Sequence, residues 1–157
     1  MAKAYFAAGC FWGIQQRFSR LGGVEKTAVG YMGGATDSPD YESVCTGKTG
    51  HAEVVEVEYD PKIVGFEELL SCFFEWHDPT QVNRQGPDIG TQYRTAIFPQ
   101  TNEQWSRAQE KIHQLSKSGH YVQPIATSIE RADKFWRAED YHQNYLDKRG
   151  LGHCGSG

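Results

Sequence analysis

A chain of 157 residues is the size of one domain and can bury about two-thirds of its unfolded surface in a single core, so no second domain is expected. Its 20 acidic and 16 basic residues leave a formal net charge of −4 with no run of one sign, which argues against a nucleic-acid or anionic-membrane surface. Neither a signal-peptide pattern nor an apolar run near the ~20 residues that span a bilayer is present, so a soluble, cytoplasmic, monomeric protein is expected.

In chain order, Lys3 to Ala8 has the aromatic and small-apolar character of a buried strand. Phe11, Ile14, Phe18 and Leu21 then recur at helical spacing. Cys10 falls between the two, at the start of the helix. Orphan backbone N–H groups and the positive end of the macrodipole there draw a thiol toward its thiolate. Gly9 and Gly13 leave room for a ligand to approach the backbone. Most free cysteines are simply small buried hydrophobes, but this position favours a nucleophile.

Val24 to Gly30 reads as a second strand, ending in Tyr31-Met32-Gly33-Gly34 and a polar loop, and Tyr41 to Gly50 reads as a connection carrying Cys45. His51 to Tyr59 alternates Val55, Val57 and Tyr59 against Glu56 and Glu58, the period of a strand with one wet face. Phe66, Leu69, Leu70, Phe73 and Phe74 mark a helix with Cys72 on its flank. The run from Asp78 to Gln92 is polar, rich in Gly and Pro, and longer than a simple connection needs, which is common in functional loops. A strand is expected over Tyr93 to Phe98, then a helix opened by a Thr101–Gln104 capping box, and a last strand over Ile125 to Ile129. Ala132 to Leu146 mixes aromatics with charges and reads as helical or irregular.

This order begins with the βαββαβ unit of the split, ferredoxin-like fold, so the expected class is α+β, a two-layer sandwich. Residues 1–148 form the expected single catalytic domain, and 149–157 a flexible glycine-rich tail carrying Cys154.

The four cysteines form no C-x-x-C pair, so neither a zinc knuckle nor a thioredoxin-type motif is present, and in a reducing compartment they rest as thiols. His51-Ala52-Glu53 is half of a zinc-deaminase signature whose P-C-x-x-C half is missing. No phosphate-binding glycine loop occurs, so no metal or nucleotide cofactor is expected. His77, His113 and His120 fall on helix ends and solvated faces, whereas His51 and His142 lie in segments crowded with polar groups. A cysteine hydrolase or acyltransferase pairing Cys10 with His51 is therefore one reading, and a non-catalytic binding module on the same fold is another.

The segments Gly9-Cys10-Phe11-Trp12-Gly13, Tyr31-Met32-Gly33-Gly34, Thr49-Gly50-His51-Ala52-Glu53, His77-Asp78-Pro79-Thr80, Gln85 to Arg94 and Phe135 to Tyr145 resemble, in order, the signature segments of the A-type peptide methionine sulfoxide reductases. The resemblance runs from the first strand to about Leu146 and implies reduction of methionine S-sulfoxide, peptide-bound or free, to methionine. The epimer preference belongs to the enzyme class; these residues do not reveal it. A sulfoxide sulfur is a poor electrophile until its oxygen is protonated or hydrogen-bonded, and the matching positions supply what that demands. Cys10 is the implied nucleophile, Glu53 the proton donor, and the phenols of Tyr41 and Tyr93 hydrogen-bond donors to the oxygen. Phe11 and Trp12 enclose the methyl group, and Asp88 holds the substrate amide. Glu53 must then stay neutral near pH 7, although a free Glu has a pKa of about 4.3.

Attack leaves methionine and a Cys10 sulfenic acid, which condenses with a second thiol to a disulfide. Within the family that disulfide is reduced by thioredoxin; dithiothreitol serves in vitro, and oxidised proteins and peptides are the substrates. Cys154 and Cys45 compete as the resolving thiol. Cys45 sits a few residues before Glu53 in a loop that leads straight into a strand, whereas Cys154 has a glycine-rich tail and so the freer approach.

Overall fold

The computed structural model describes residues 1–132 and 134–150. The elements are β1 (Ala2–Ala8), α1 (Phe11–Ser19), β2 (Val24–Met32), α2 (Tyr41–Cys45), β3 (Ala52–Tyr59), α3 (Phe66–Glu75), β4 (Arg84–Gln85), β5 (Asp88–Ile89), β6 (Thr95–Ile97), α4 (Asn102–Lys117), β7 (Ser128–Ile129), β8 (Trp136–Arg137) and α5 (Tyr145–Lys148). Six strands form one sheet in the order β7-β6-β1-β3-β2-β8, and β4 pairs with β5 as a small separate hairpin. Every neighbouring pair in the large sheet is antiparallel except β6 with β7. The centre, β6-β1-β3-β2, is the expected split βαββαβ arrangement, with β3 between β1 and β2.

Period-two alternation divides the sheet's residues between two faces. Phe6 faces the helices and stacks on Phe18, Phe66 and Phe73 at 5.2, 6.0 and 5.2 Å between ring centroids, binding β1 to α1 and α3. Leu69, Leu70 and Ala108 complete that layer with the expected apolar stripes of α3 and α4. On the opposite face Tyr5, Ala7, Met32, Ala52, Val54, Ala96 and Phe98 pack under Ala132 and Phe135. No helix among the described residues is long and apolar enough to cross a membrane.

Several local expectations change. The connection after β2 contains α2, whose start is capped reciprocally: Ser43 N–H donates to the Asp40 side chain, and Asp40 N–H donates to Ser43 Oγ. The Asp78–Gln92 run is partly ordered as the β4–β5 hairpin. Tyr93 ends a 3₁₀ turn, Thr91–Tyr93, and β6 begins only at Thr95. Thr101 accepts from Gln104 N–H as a cap should, but the Gln104 carboxamide turns to Gln100 N–H and Lys3 O, so the box is half formed. The last expected strand shrinks to Ser128–Ile129, and the 132–146 segment holds β8, a 3₁₀ turn and the start of α5. The Arg149 guanidinium, at the start of the expected tail, lies 4.7 Å over the Tyr145 ring. Cys154 lies outside the described residues.

Candidate active site

Cys10 is the N-cap of α1, with φ −58° and ψ 121°, half-buried where β1 hands the chain to the helix. Gly9 before it has φ +86°, and a Cβ there would come within 2.8 Å of the Gln85 Cβ and Cγ. Glycine is thus required twice over, by the backbone and by the neighbour. Gln85 is itself held fast: its carboxamide accepts from Asp78 N–H at 2.9 Å and donates to Asp78 O at 2.8 Å. The β4–β5 hairpin that carries Asp88 is thereby seated against the Cys10 junction.

Glu53 is the second residue of β3, opposite Tyr31 of β2 and 2% exposed. It shares strand parity with Val55, Val57 and Tyr59, so its carboxyl points toward the helices. There Oε1 accepts from Phe11 N–H at 3.1 Å. The helix start expected to serve the thiolate therefore also holds a carboxyl, one residue from Cys10.

Tyr41 opens α2; its N–H donates to Glu139 Oε2 at 3.0 Å, and its phenol lies close to the Cys45 thiol. Burial, then the neighbouring Cys45, Tyr93 and Glu53, push its phenol far above the ordinary range. Tyr93 is raised in the same way by burial and by the proximity of Glu53, Cys45, Asp88 and Cys10. Both phenols thus keep their protons at any working pH. Those couplings gather Cys10, Glu53, Tyr41, Tyr93 and Asp88 in one neighbourhood, with Cys45 among them. Burial raises the Cys45 thiol, so the expected competitor lies near the site as a thiol rather than a thiolate.

The aromatic pair divides its work. Phe11 is 1% exposed, its ring centroid 5.9 Å from Tyr31 and 5.3 Å from His142, a back wall rather than an open face. Trp12 is half-buried, stacked on Tyr145 at 3.8 Å, and its indole N–H donates to His142 Nδ1 at 3.0 Å. Accepting at Nδ1 fixes the imidazole proton on Nε2, and burial lowers the His142 pKa so that the ring stays neutral.

Glu139 and Gln143 had no assigned role in the sequence reading. Glu139 also accepts from the Tyr31 hydroxyl at 3.0 Å. Gln143 pairs with both backbone groups of Val29 at 2.9 Å, docking the 139–145 segment on β2. Two signals in the sequence point to this segment, the crowding of polar and aromatic residues around His142 and the Phe135 to Tyr145 signature.

His51 is not brought to Cys10 as a base. It is 2% exposed, Nδ1 accepts from Gly34 N–H at 3.0 Å, and Nε2 bonds Thr36 O at 2.7 Å, so both ring nitrogens hold the loop after β2. A Cβ on Gly34 would sit 2.5 Å from that ring, which accounts for the second glycine of the pair. The hydrolase reading loses its base.

A family model described as peptide methionine sulfoxide reductase matches residues 2–156. A relative named peptide methionine sulfoxide reductase MsrA, from Methanoculleus marisnigri, is 54% identical over 154 residues, covering 98% of this chain and 94% of its own length. The crystal structure of Mxr1 from Saccharomyces cerevisiae in reduced form superposes with a TM-score of 0.87 at 40% identity, over 98% of this chain and 88% of that one. Mxr1 in complex with Trx2 matches with a TM-score of 0.61 at 26% identity, over 92% and 84% of the two chains.

Proposed function

The chain belongs to the peptide methionine sulfoxide reductase family, and on that premise we propose how its own residues carry the thiol-dependent reduction of methionine sulfoxide. The observation that carries the reading is the Glu53 carboxyl held on the backbone N–H next to Cys10, with the Tyr93 phenol in electrostatic reach of both.

Cys10 attacks the sulfoxide sulfur as a thiolate. Glu53 gives its proton to the sulfoxide oxygen, and the hydroxyls of Tyr41 and Tyr93 donate to the same oxygen. Burial disfavours the charged form of a carboxyl, which is the condition for Glu53 to arrive protonated. The substrate sulfur gains two electrons and leaves as the thioether, while the oxygen ends on Cys10 Sγ as sulfenic acid. Trp12 offers its ring face to the methyl group with Phe11 behind it, and Asp88 accepts from the substrate amide N–H.

Condensation of the sulfenic acid with a second thiol releases water and forms a disulfide, which an external dithiol then reduces. We assign that thiol to Cys154, in the tail 149–157 beyond the catalytic domain 1–148, and the external dithiol to thioredoxin. Support for the first comes from the root of the tail: Arg149 lies over Tyr145, which stacks on Trp12. The five residues that follow Arg149, ending at Cys154, can span up to about 17 Å when extended. The relative bound to Trx2 supports the second. The reading includes a cytoplasmic monomer that acts on oxidised proteins and needs no cofactor beyond its reductant.

Incubation with a peptide containing methionine S-sulfoxide and dithiothreitol tests the reading: a product lighter by one oxygen is expected. Cys10→Ser should be inactive with any reductant. Single-turnover reduction by that variant would remove Cys10 from the mechanism.

A further inference from the structure

Arg94 follows Tyr93 directly, yet its side chain turns away from the reacting groups. Its Nε and Nη2 donate to Glu130 Oε2 and Oε1, both at 3.0 Å, and its Nη1 donates to Thr91 O at 3.0 Å. The Arg94 backbone N–H reaches the same carbonyl at 3.2 Å. Glu130 is anchored in turn, accepting from Ser128 Oγ at 2.6 Å while its N–H donates to Ile97 O at 3.0 Å. Burial pushes the Glu130 carboxyl up, but the bonds from Arg94 and Ser128 outweigh it and hold the group below its ordinary range.

The end of β2 is shaped around this pair. Gly33 has φ +86°, and a Cβ there would sit 2.9 Å from Arg94 Nη2 and 3.1 Å from Glu130 Oε1. Its place in the Tyr-Met-Gly-Gly segment is thus accounted for by the positive φ, with the ion pair and the Phe98 ring, 2.9 Å from such a Cβ, filling the space beside it. With 15% and 25% of the two side chains exposed, the pair is mostly desolvated, an arrangement that adds little net stability but fixes geometry.

We propose that Arg94, clamped by Glu130, is a positioning residue for Tyr93: by closing the Thr91–Tyr93 turn from outside, it holds the phenol at the sulfoxide oxygen. The proposal rests on the reading of Tyr93 as a donor. A planar fork makes the three bonds at once; a lysine, a point charge with a flexible stem, cannot. Misplacing a catalytic donor by about 1 Å can cost up to about 100-fold in rate.

The test is single-turnover formation of the Cys10 sulfenic acid from a peptide sulfoxide, in Arg94→Lys, Glu130→Gln, Tyr93→Phe and the double variant Arg94→Lys/Tyr93→Phe, with thermal melts confirming folded protein. Arg94→Lys should slow the chemical step about 10- to 100-fold with little change in KM. Glu130→Gln, which keeps an acceptor for one arm of the fork, should fall between it and wild type. On the Tyr93→Phe background Arg94→Lys should add less than about a twofold further loss, because groups that act as one unit are not additive. Multiplying losses in the double variant would make the pair a general stabiliser and overturn the proposal, as would a wild-type rate in Arg94→Lys when Tyr93→Phe is slow. A wild-type rate in Tyr93→Phe itself would remove the donor role and the proposal with it.

Discussion

Glu53 shows how two opposing forces are set against one another at a single side chain. Burial at 2% exposure favours the neutral acid, while the Phe11 N–H at the start of α1 favours the carboxylate. Glu53→Gln keeps an acceptor for that N–H but has no proton to give. It should slow sulfenic acid formation by about 10²- to 10⁴-fold, the usual worth of general acid catalysis, and leave peptide-sulfoxide binding nearly intact. A loss of binding with an unchanged chemical rate, read by equilibrium titration beside single-turnover kinetics, would make Glu53 a substrate anchor instead. Its type was legible in the sequence as part of a motif, and its inward direction follows from shared parity with Val55 and Val57. Its contact, Phe11, lies 42 residues away and has no local sequence signal.

At the scale of elements, the site is a junction of short pieces held by side chains. Gln85 seats the β4–β5 hairpin against Gly9, and Gln143 and Glu139 seat the 139–145 segment against β2 and α2. Gly9→Ala meets both a left-handed backbone, φ +86°, and the Gln85 side-chain carbons. The backbone strain alone costs about 1–3 kcal/mol. A melting midpoint lowered accordingly is expected, together with a fall in kcat/KM larger than the stability loss explains, because relief of the clash moves Asp88 away from Cys10. Thermal melts and steady-state kinetics on the same preparation separate the two effects. Helices with long apolar stripes, such as α3 and α4, were readable from periodicity; α2, five residues long, was not, because its cap is its main signal.

Across the whole molecule, acid sensitivity and recycling both depend on groups far from one another. His77 bonds Phe73 O and, at 2.8 Å, Thr95 Oγ1, and burial lowers its pKa from about 6.5 to about 4. As pH falls below about 6.5 the unfolded chain takes up a proton that the folded ring refuses, so stability drops by up to about 1.4 kcal/mol per pH unit, on the order of 3 kcal/mol by pH 4. His77→Gln should flatten that slope in denaturant titrations between those pH values. If Cys154 is the resolving thiol, as proposed, Cys154→Ser should reduce one sulfoxide per enzyme in a burst and then stall with thioredoxin, leaving a sulfenic acid trappable by dimedone. Cys45→Ser should turn over almost normally. Peptide mapping that joins Cys10 to Cys45, with Cys154→Ser still recycling, would transfer the role to Cys45, which lies near Tyr41 and Glu53.

The α+β alternation, the strand-to-helix placement of Cys10 and the family are legible in the chain, because hydrophobic period, glycine punctuation and motif composition are written in neighbouring residues. Which polar groups gather around Cys10 and which tie the scaffold together emerges only from the fold. His51, attractive beside Glu53 in the chain, spends both nitrogens on a loop. His142, 130 residues from Trp12, fixes the indole. Arg94 forks onto Glu130, 36 residues on. Such bonds depend on where rigid elements converge, and a partner so distant leaves no periodic trace in either local segment.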